Sequence, residues 1–191
     1  DLPLRRTLKV QRAAALQGPC ISVVVPVYNT PLPFFKQMVQ SVRRQTYANW
    51  QLVLVDASDE AHGEVSRRAR QYAARDSRIL CRKVENRGIA ANTTEGFAAA
   101  SGDYLALLDH DDVLYPNALF ECVQVIQKSG ADFVYSDEIV LSADLKKLGG
   151  YHFKPDFAPD YLRGVNIITH LAVVSRALLD RAGAYESSEY D

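Results

Sequence analysis

The sequence predicts an α/β fold built on a mainly parallel central sheet covered on both faces. Three observations carry this. Short apolar runs rich in β-branched residues alternate with helical patterns through at least four units. The runs are too continuously apolar for a sheet with one wet face. Each run empties into polar residues, at Tyr28-Asn29, Asp56, Asn86-Arg87-Gly88 and Asp109-His110-Asp111-Asp112, and in parallel sheets of this kind ligands bind beyond the carboxyl ends of the strands.

Residues 1–19 place Arg5, Arg6, Lys9 and Arg12 among Leu4, Leu8 and Leu16 at roughly helical intervals, closed by Gly18-Pro19. This reads as a linker or N-terminal helix, solvated in preference to lying on a membrane surface or against a neighbouring domain. Residues 20–191 form the main domain. Ile21 to Val27 is a buried parallel strand, followed by a helix carrying Phe34, Phe35, Met38, Val39 and Val42. Trp50 to Asp56 is the second strand, then a polar helix from about Ala61 to Arg75, and a third strand from Arg78 to Val84. Glu85 to Gly88 turns into an alanine-rich helix whose small residues suit close packing on a sheet.

The fourth strand lies in Ser101 to Asp112, and a helix from Asn117 to Lys128 is stopped by Gly130. Ala131 to Ser136 is the fifth strand. Beyond it come an excursion with a turn at Gly149-Gly150, an irregular or briefly helical stretch from Asp156 to Gly164, a strand within Val165 to Val174, and a short helix closed by Gly183.

Composition narrows the function. The chain has 191 residues, 48% apolar and 24% charged, with a formal net charge of −1. That size buries a real core, and that charge provides no global field to recruit nucleic acid. No apolar run approaches the ~18 residues of a membrane span and no signal-peptide pattern opens the chain. Cys20, Cys81 and Cys122 show no Cys-x-x-Cys spacing, so neither a disulfide framework nor a zinc site is expected, and a cytoplasmic setting fits best. Met38 is the sole methionine, and the chain is read as a C-terminally truncated piece of a longer parent with other domains.

The densest chemistry is in the acidic stretch. Residues two apart on a strand share a face, so Asp109 and Asp111 are expected to point the same way. Converging carboxylates at ~4 Å repel by about 4 kcal/mol at an effective dielectric of ~20, and a divalent cation relieves this. The same residues also suit a solvated turn that caps the helix after Pro116. The first strand lacks Gly-x-Gly-x-x-Gly after it and no Gly-x-x-x-x-Gly-Lys-Ser/Thr occurs, so dinucleotide and P-loop chemistry are poorly supported. Leu-Leu-Asp109-x-Asp111 superficially matches the nucleophile turn of a haloacid-dehalogenase-like phosphatase, but the residues after it and its place on the fourth strand do not.

Taken together, Val-Val-Val-Pro26-Val27-Tyr28-Asn29, Gln45-Thr-Tyr47-x-Asn49-Trp50, Leu-Val-Asp56, Asn86-Arg87-Gly88 and Asp103-Tyr-Leu-Ala-Leu-Leu-Asp109-His110-Asp111-Asp112 resemble the nucleotide-sugar-binding half of the family 2 glycosyltransferases. Those enzymes have the GT-A fold, a Rossmann-like three-layer sandwich. Asp137-Glu138, Phe153-Lys-Pro-Asp156 and Asn166-Ile-Ile-Thr-His170 resemble the branch that builds bacterial surface polysaccharides such as O-antigen.

The resemblance implies transfer of a sugar from a nucleotide-diphosphate donor, UDP- or dTDP-linked, to a hydroxyl of a glycan or lipid-linked acceptor, with inversion, at the inner face of the membrane. It implies that Pro26, Val27, Tyr28, Asn29 and Asp56 line the base and ribose, with Asp56 accepting from a uracil-type N–H. Asn86, Arg87 and Gly88 would lie near the nucleotide, with Gly88 permitting close backbone approach and Arg87 offering charge toward phosphate. Asp109 and His110 belong to the nucleotide grip, and Asp111 or Asp112 would hold manganese or magnesium; His110, as the middle residue, is not expected to be a ligand. Asp56-Ala57 replaces the usual Asp-Asp pair. The general base lies beyond the chain or, failing that, is Asp191. His170, in an apolar run, is expected to be a satisfied structural histidine. A nucleotide-binding fragment without activity is the alternative.

Overall fold

A computed structural model describes residues 5–183. The elements run α1 (Arg5–Ala14), β1 (Ile21–Val27), α2 (Leu32–Arg43), β2 (Trp50–Asp56), a 3-10 turn (Glu60–His62), α3 (Gly63–Ala73), β3 (Ile79–Lys83), α4 (Ile89–Ala99), β4 (Tyr104–Leu107), α5 (Ala118–Ser129), β5 (Phe133–Tyr135), β6 (Glu138–Leu141), β7 (Leu148–His152), α6 (Pro159–Gly164), β8 (Ala172–Ser175) and α7 (Arg176–Ala182). Six strands form one sheet in the order β3-β2-β1-β4-β8-β5. β1 pairs in parallel with β2 and β4, and β2 with β3. β8 is antiparallel to both β4 and β5, and β6 and β7 make a separate antiparallel hairpin.

The continuous apolar runs are explained by a core on each face. Ile21, Val23, Val25 and Val27 of β1, with Leu52 and Leu54 of β2, join Phe35, Met38, Leu119 and Val123 in the larger core. Val24, Val53 and Val55 face the other way, against Phe97 and Ala100. Alternation at period two therefore persists, but both sets are buried. Gly96 shows why α4 is rich in small residues. A Cβ there would stand 2.3 Å from Val24 Cγ1 and 3.0 Å from Val55 Cγ2, so the helix lies directly on the sheet. Gly96→Ala is expected to lower stability by about 2 kcal/mol through overpacking, read as a fall in the urea midpoint at unchanged slope.

Two expectations are refined here. The first helix is exposed along most of its length but is tied to the domain at one point: Gln11 is buried, donating to Glu121 Oε1 at 2.9 Å and accepting from the Thr46 hydroxyl at 3.2 Å. Its buried anchor is polar, which an apolar periodicity does not reveal. The strand expected within Val165 to Val174 is confined to Ala172–Ser175, because its antiparallel partners are themselves only four and three residues long. In that register Leu107 faces Ala172. The loop entering β8 thus arrives at the carboxyl end of β4, beside the acidic stretch.

Candidate active site

The loops after β1 and β2 are built around two side chains. Asn29 adopts a left-handed backbone (φ 48), a conformation asparagine tolerates better than most residues. Its side-chain amide donates to Asp59 Oδ2 at 2.9 Å and accepts from the Asp59 N–H at 3.1 Å, while its own N–H donates to Ser58 Oγ at 3.1 Å. Asp56 is 1% exposed. One of its oxygens accepts from the Ser58 N–H at 3.1 Å and the other from the Ser66 hydroxyl, with Lys83 Nζ at 3.5 Å. In the ligand-free chain the Asp56 carboxylate fastens the loop after β2. Tyr28, by contrast, is 47% exposed, Pro26 is half-buried and Val27 is buried.

Past β3, Gly88 takes φ 89 at the head of α4, open to glycine and strained for other residues. Asn86 Oδ1 accepts from the Gly88 N–H at 3.2 Å and from Asn92 Nδ2 at 3.0 Å, so the turn is fastened to the helix. Arg87 is exposed and its guanidinium donates to Glu95 Oε1 at 2.7 Å.

The acidic stretch is where the geometry departs most from the extended expectation. β4 stops at Leu107, and Asp109 to Asp112 close a turn in which the Asp112 N–H donates to the Asp109 carbonyl at 3.3 Å. Strand alternation no longer governs these residues. The turn brings Asp109 and Asp112 together, and Asp111 stays exposed outside the pair. His170, delivered by the loop before β8, completes the group: its Nε2 lies 3.2 Å from Asp109 Oδ2 and 3.8 Å from Asp112 Oδ2. His170 is a partnered histidine, and its partners are the two acids of the turn.

The electrostatics divide the two acids. The hydrogen bond from His170 holds Asp109 below the usual carboxylate range, and burial opposes it. Burial pushes Asp112 up; His170 opposes this, and the charges of Asp109, Asp111 and Glu138 add to it. His170 is raised, mainly by its bond to Asp109. Such divergence between neighbouring carboxyls occurs at functional clusters and in structural ion-pair networks alike.

The ligand atoms of Asp109, Asp112 and His170 all lie within 4.8 Å of one another. Two carboxylates and an imidazole make a donor set for a divalent cation. Beside them His110 Nδ1 is buried without a hydrogen bond, with Asp111 Oδ1 beyond reach at 3.8 Å. This orphaned ring nitrogen in the acidic turn is a position a bound ligand would satisfy. Asp191 lies outside the described residues. Sequence reasoning missed Ser58, Lys83 and Asn92 as loop fasteners and discounted His170, since nothing local to these residues signals their partners.

Among known protein families, residues 22–181 match glycosyl transferase family 2. The chain belongs to that family. Over 185 residues it is 37% identical to the O-antigen biosynthesis protein RfbC of Myxococcus xanthus, covering 95% of this chain and 14% of that protein. Among solved structures, S. aureus TarS 1–349 aligns with TM-score 0.63 at 17% identity, over 85% of this chain and 48% of that one. A complex of the same TarS segment with UDP aligns with TM-score 0.52 at 19% identity, over 60% and 34%. The mannosyltransferase PcManGT from Pyrobaculum calidifontis, in complex with GDP-Man and Mn2+, aligns with TM-score 0.59 at 20% identity, over 89% and 48%. The glycosyl transferase family 2 chain thus has the GT-A architecture, and it spans less than half the length of each of these proteins. Among the described residues, no helix is long and apolar enough to cross a membrane.

Proposed function

We propose that this domain binds a nucleotide-diphosphate sugar, UDP- or dTDP-linked, and transfers the sugar with inversion to a hydroxyl of a growing polysaccharide or lipid-linked glycan. The observation that carries the reading is the meeting of Asp109, Asp112 and His170 at the carboxyl edge of the sheet. RfbC's role in O-antigen biosynthesis supports the polysaccharide setting. The UDP complex of TarS supports the donor class, and the Mn2+ complex of PcManGT supports the cation.

In this reading Asp109, Asp112 and His170 hold manganese or magnesium. The cation, when bound, neutralises charge on the departing diphosphate. The chain's own residues do the rest of the donor work. Exposed Tyr28 offers a stacking face to the base, Asn29 fixes the loop that presents it, and Gly88 lets the backbone come close to the phosphates. Arg87 turns from Glu95 toward phosphate, a better partner for its planar fork. His110 supplies its unpaired ring nitrogen to the nucleotide. The acceptor oxygen bonds to the anomeric carbon as the bond to the diphosphate oxygen breaks, and the acceptor proton passes to a general base. Asp191 or a carboxylate outside these residues serves as that base.

Titrating UDP into the chain with and without manganese tests the reading. Binding at least tenfold tighter with manganese, together with release of UDP from a UDP-sugar and no turnover of an aryl phosphate, is the expected result. Metal-independent binding would sink it, aryl phosphate turnover would favour a phosphatase using Asp109, and tight binding without donor turnover would leave an inactive nucleotide-binding fragment.

A further inference from the structure

Behind the three candidate ligands lies a second group of charged residues that the donor chemistry leaves without work. Lys154 follows β7, and its side chain is 1% exposed. Its ammonium donates to the backbone carbonyls of Ile168 and His170 and sits 3.6 Å from Glu138 Oε2. All three donors of the ammonium therefore face oxygen. Glu138, on β6, also accepts from the Thr169 hydroxyl at 3.1 Å through either oxygen and pairs with His152 Nδ1. The Lys154 N–H donates to Asp137 Oδ1 at 2.8 Å. The hairpin thus grips Ile168, Thr169 and His170 in succession.

Two features mark this grip as more than packing. A fully buried lysine is rare and costly unless paired, and an apolar side chain of similar volume fills such a space at lower cost. Thr169 adopts φ 39, a region β-branched residues seldom enter, and such a conformation persists only where its surroundings hold it. The held segment carries the imidazole that meets Asp109 and Asp112.

We propose that Lys154 and Glu138 are positioning residues that fix the His170 imidazole against Asp109 and Asp112, so that the β6–β7 hairpin sets the affinity of the site for a divalent cation. The inference rests on the metal reading given above. It has a sign that simple charge does not share. Removing a cation from behind a cation site strengthens metal binding by electrostatics alone, whereas losing the grip on a ligand weakens it, typically 10- to 100-fold for a group supporting a ligand from behind.

The test uses the 191-residue chain and manganese alone, with free Mn2+ followed by electron paramagnetic resonance. Lys154→Met is expected to weaken Mn2+ binding at least tenfold while metal-free UDP affinity stays within about twofold. Lys154→Met combined with Glu138→Gln, which restores the charge balance, is expected to stay weak. Mn2+ binding equal to or tighter than wild type in Lys154→Met, recovery in the double variant, or UDP affinity falling in step with Mn2+ would each overturn the clamp. If Lys154→Met does not fold, Glu138→Gln alone decides, with a weakening of at least threefold expected and none overturning the proposal. His170→Ala separates the two layers. Unchanged Mn2+ affinity there removes the metal reading and the clamp together, whereas a loss in His170→Ala with none in the Lys154 variant removes the clamp only.

Discussion

Asp112→Ala is expected to abolish the manganese dependence of UDP binding and to lower sugar transfer about 1,000-fold, or ~4 kcal/mol in the transition state. Asp112 is the acid whose charge is least compensated: burial and three neighbouring carboxylates push its carboxyl up, with His170 alone pulling the other way. A divalent cation gains most beside such a group. Asp109 differs, since His170 Nε2 already lies 3.2 Å from it. Asp111→Ala is expected to cost less than about threefold, because its exposed carboxylate lies outside the group that converges within 4.8 Å. The measurements are UDP affinity with and without manganese and the initial rate of donor turnover. A larger loss in Asp111→Ala than in Asp112→Ala would return the metal to the extended Asp-x-Asp geometry that strand alternation suggests.

That contrast shows where the sequence was readable. The strands over Ile21–Val27 and Trp50–Asp56 were legible to the residue because burial on both faces demands unbroken apolar runs, and the chain has no other way to write that. The edge carrying the site followed from the alternation of strands and helices, which places Tyr28, Asp56, Gly88 and Asp109 at one end of the sheet. The pairings within that edge were not legible. Whether Asp109 meets Asp111 or Asp112 depends on where β4 ends, and a one-residue change in that ending exchanges faces.

His170 was illegible for a different reason. Apart from Thr169 its near neighbours in the chain are apolar, and its place beside the acids comes from the antiparallel register that sets Ala172 opposite Leu107. Lys154 likewise looks like a surface charge in Phe153-Lys-Pro, and only the folded hairpin shows its ammonium enclosed by three oxygens. Long-range polar partners of this kind leave no period in the sequence, whereas apolar faces do.

Asp56→Ala is expected to destabilise the ligand-free protein by about 3 kcal/mol and to weaken UDP binding roughly tenfold. Removing a buried carboxylate strands the donors that faced it, at ~1–3 kcal/mol each. Here those are the Ser58 N–H and the Ser66 hydroxyl, with Lys83 losing its partner at 3.5 Å. Lys83 is half exposed and rehydrates, which keeps the loss at the lower end for a broken buried pair. The effect reaches the site through Ser58, whose hydroxyl accepts the Asn29 N–H at 3.1 Å; once Ser58 shifts, the loop bearing Tyr28 loses its anchor. Asp56→Asn keeps an oxygen for Ser58 but surrenders the ion pair, so its urea midpoint should fall between wild type and alanine. A residue that touched the base directly would behave otherwise: Asp56→Asn would then leave the urea midpoint in place and change the preference for UDP over CDP. The burial of Asp56 at 1% exposure predicts the reverse, a lowered midpoint with that preference intact.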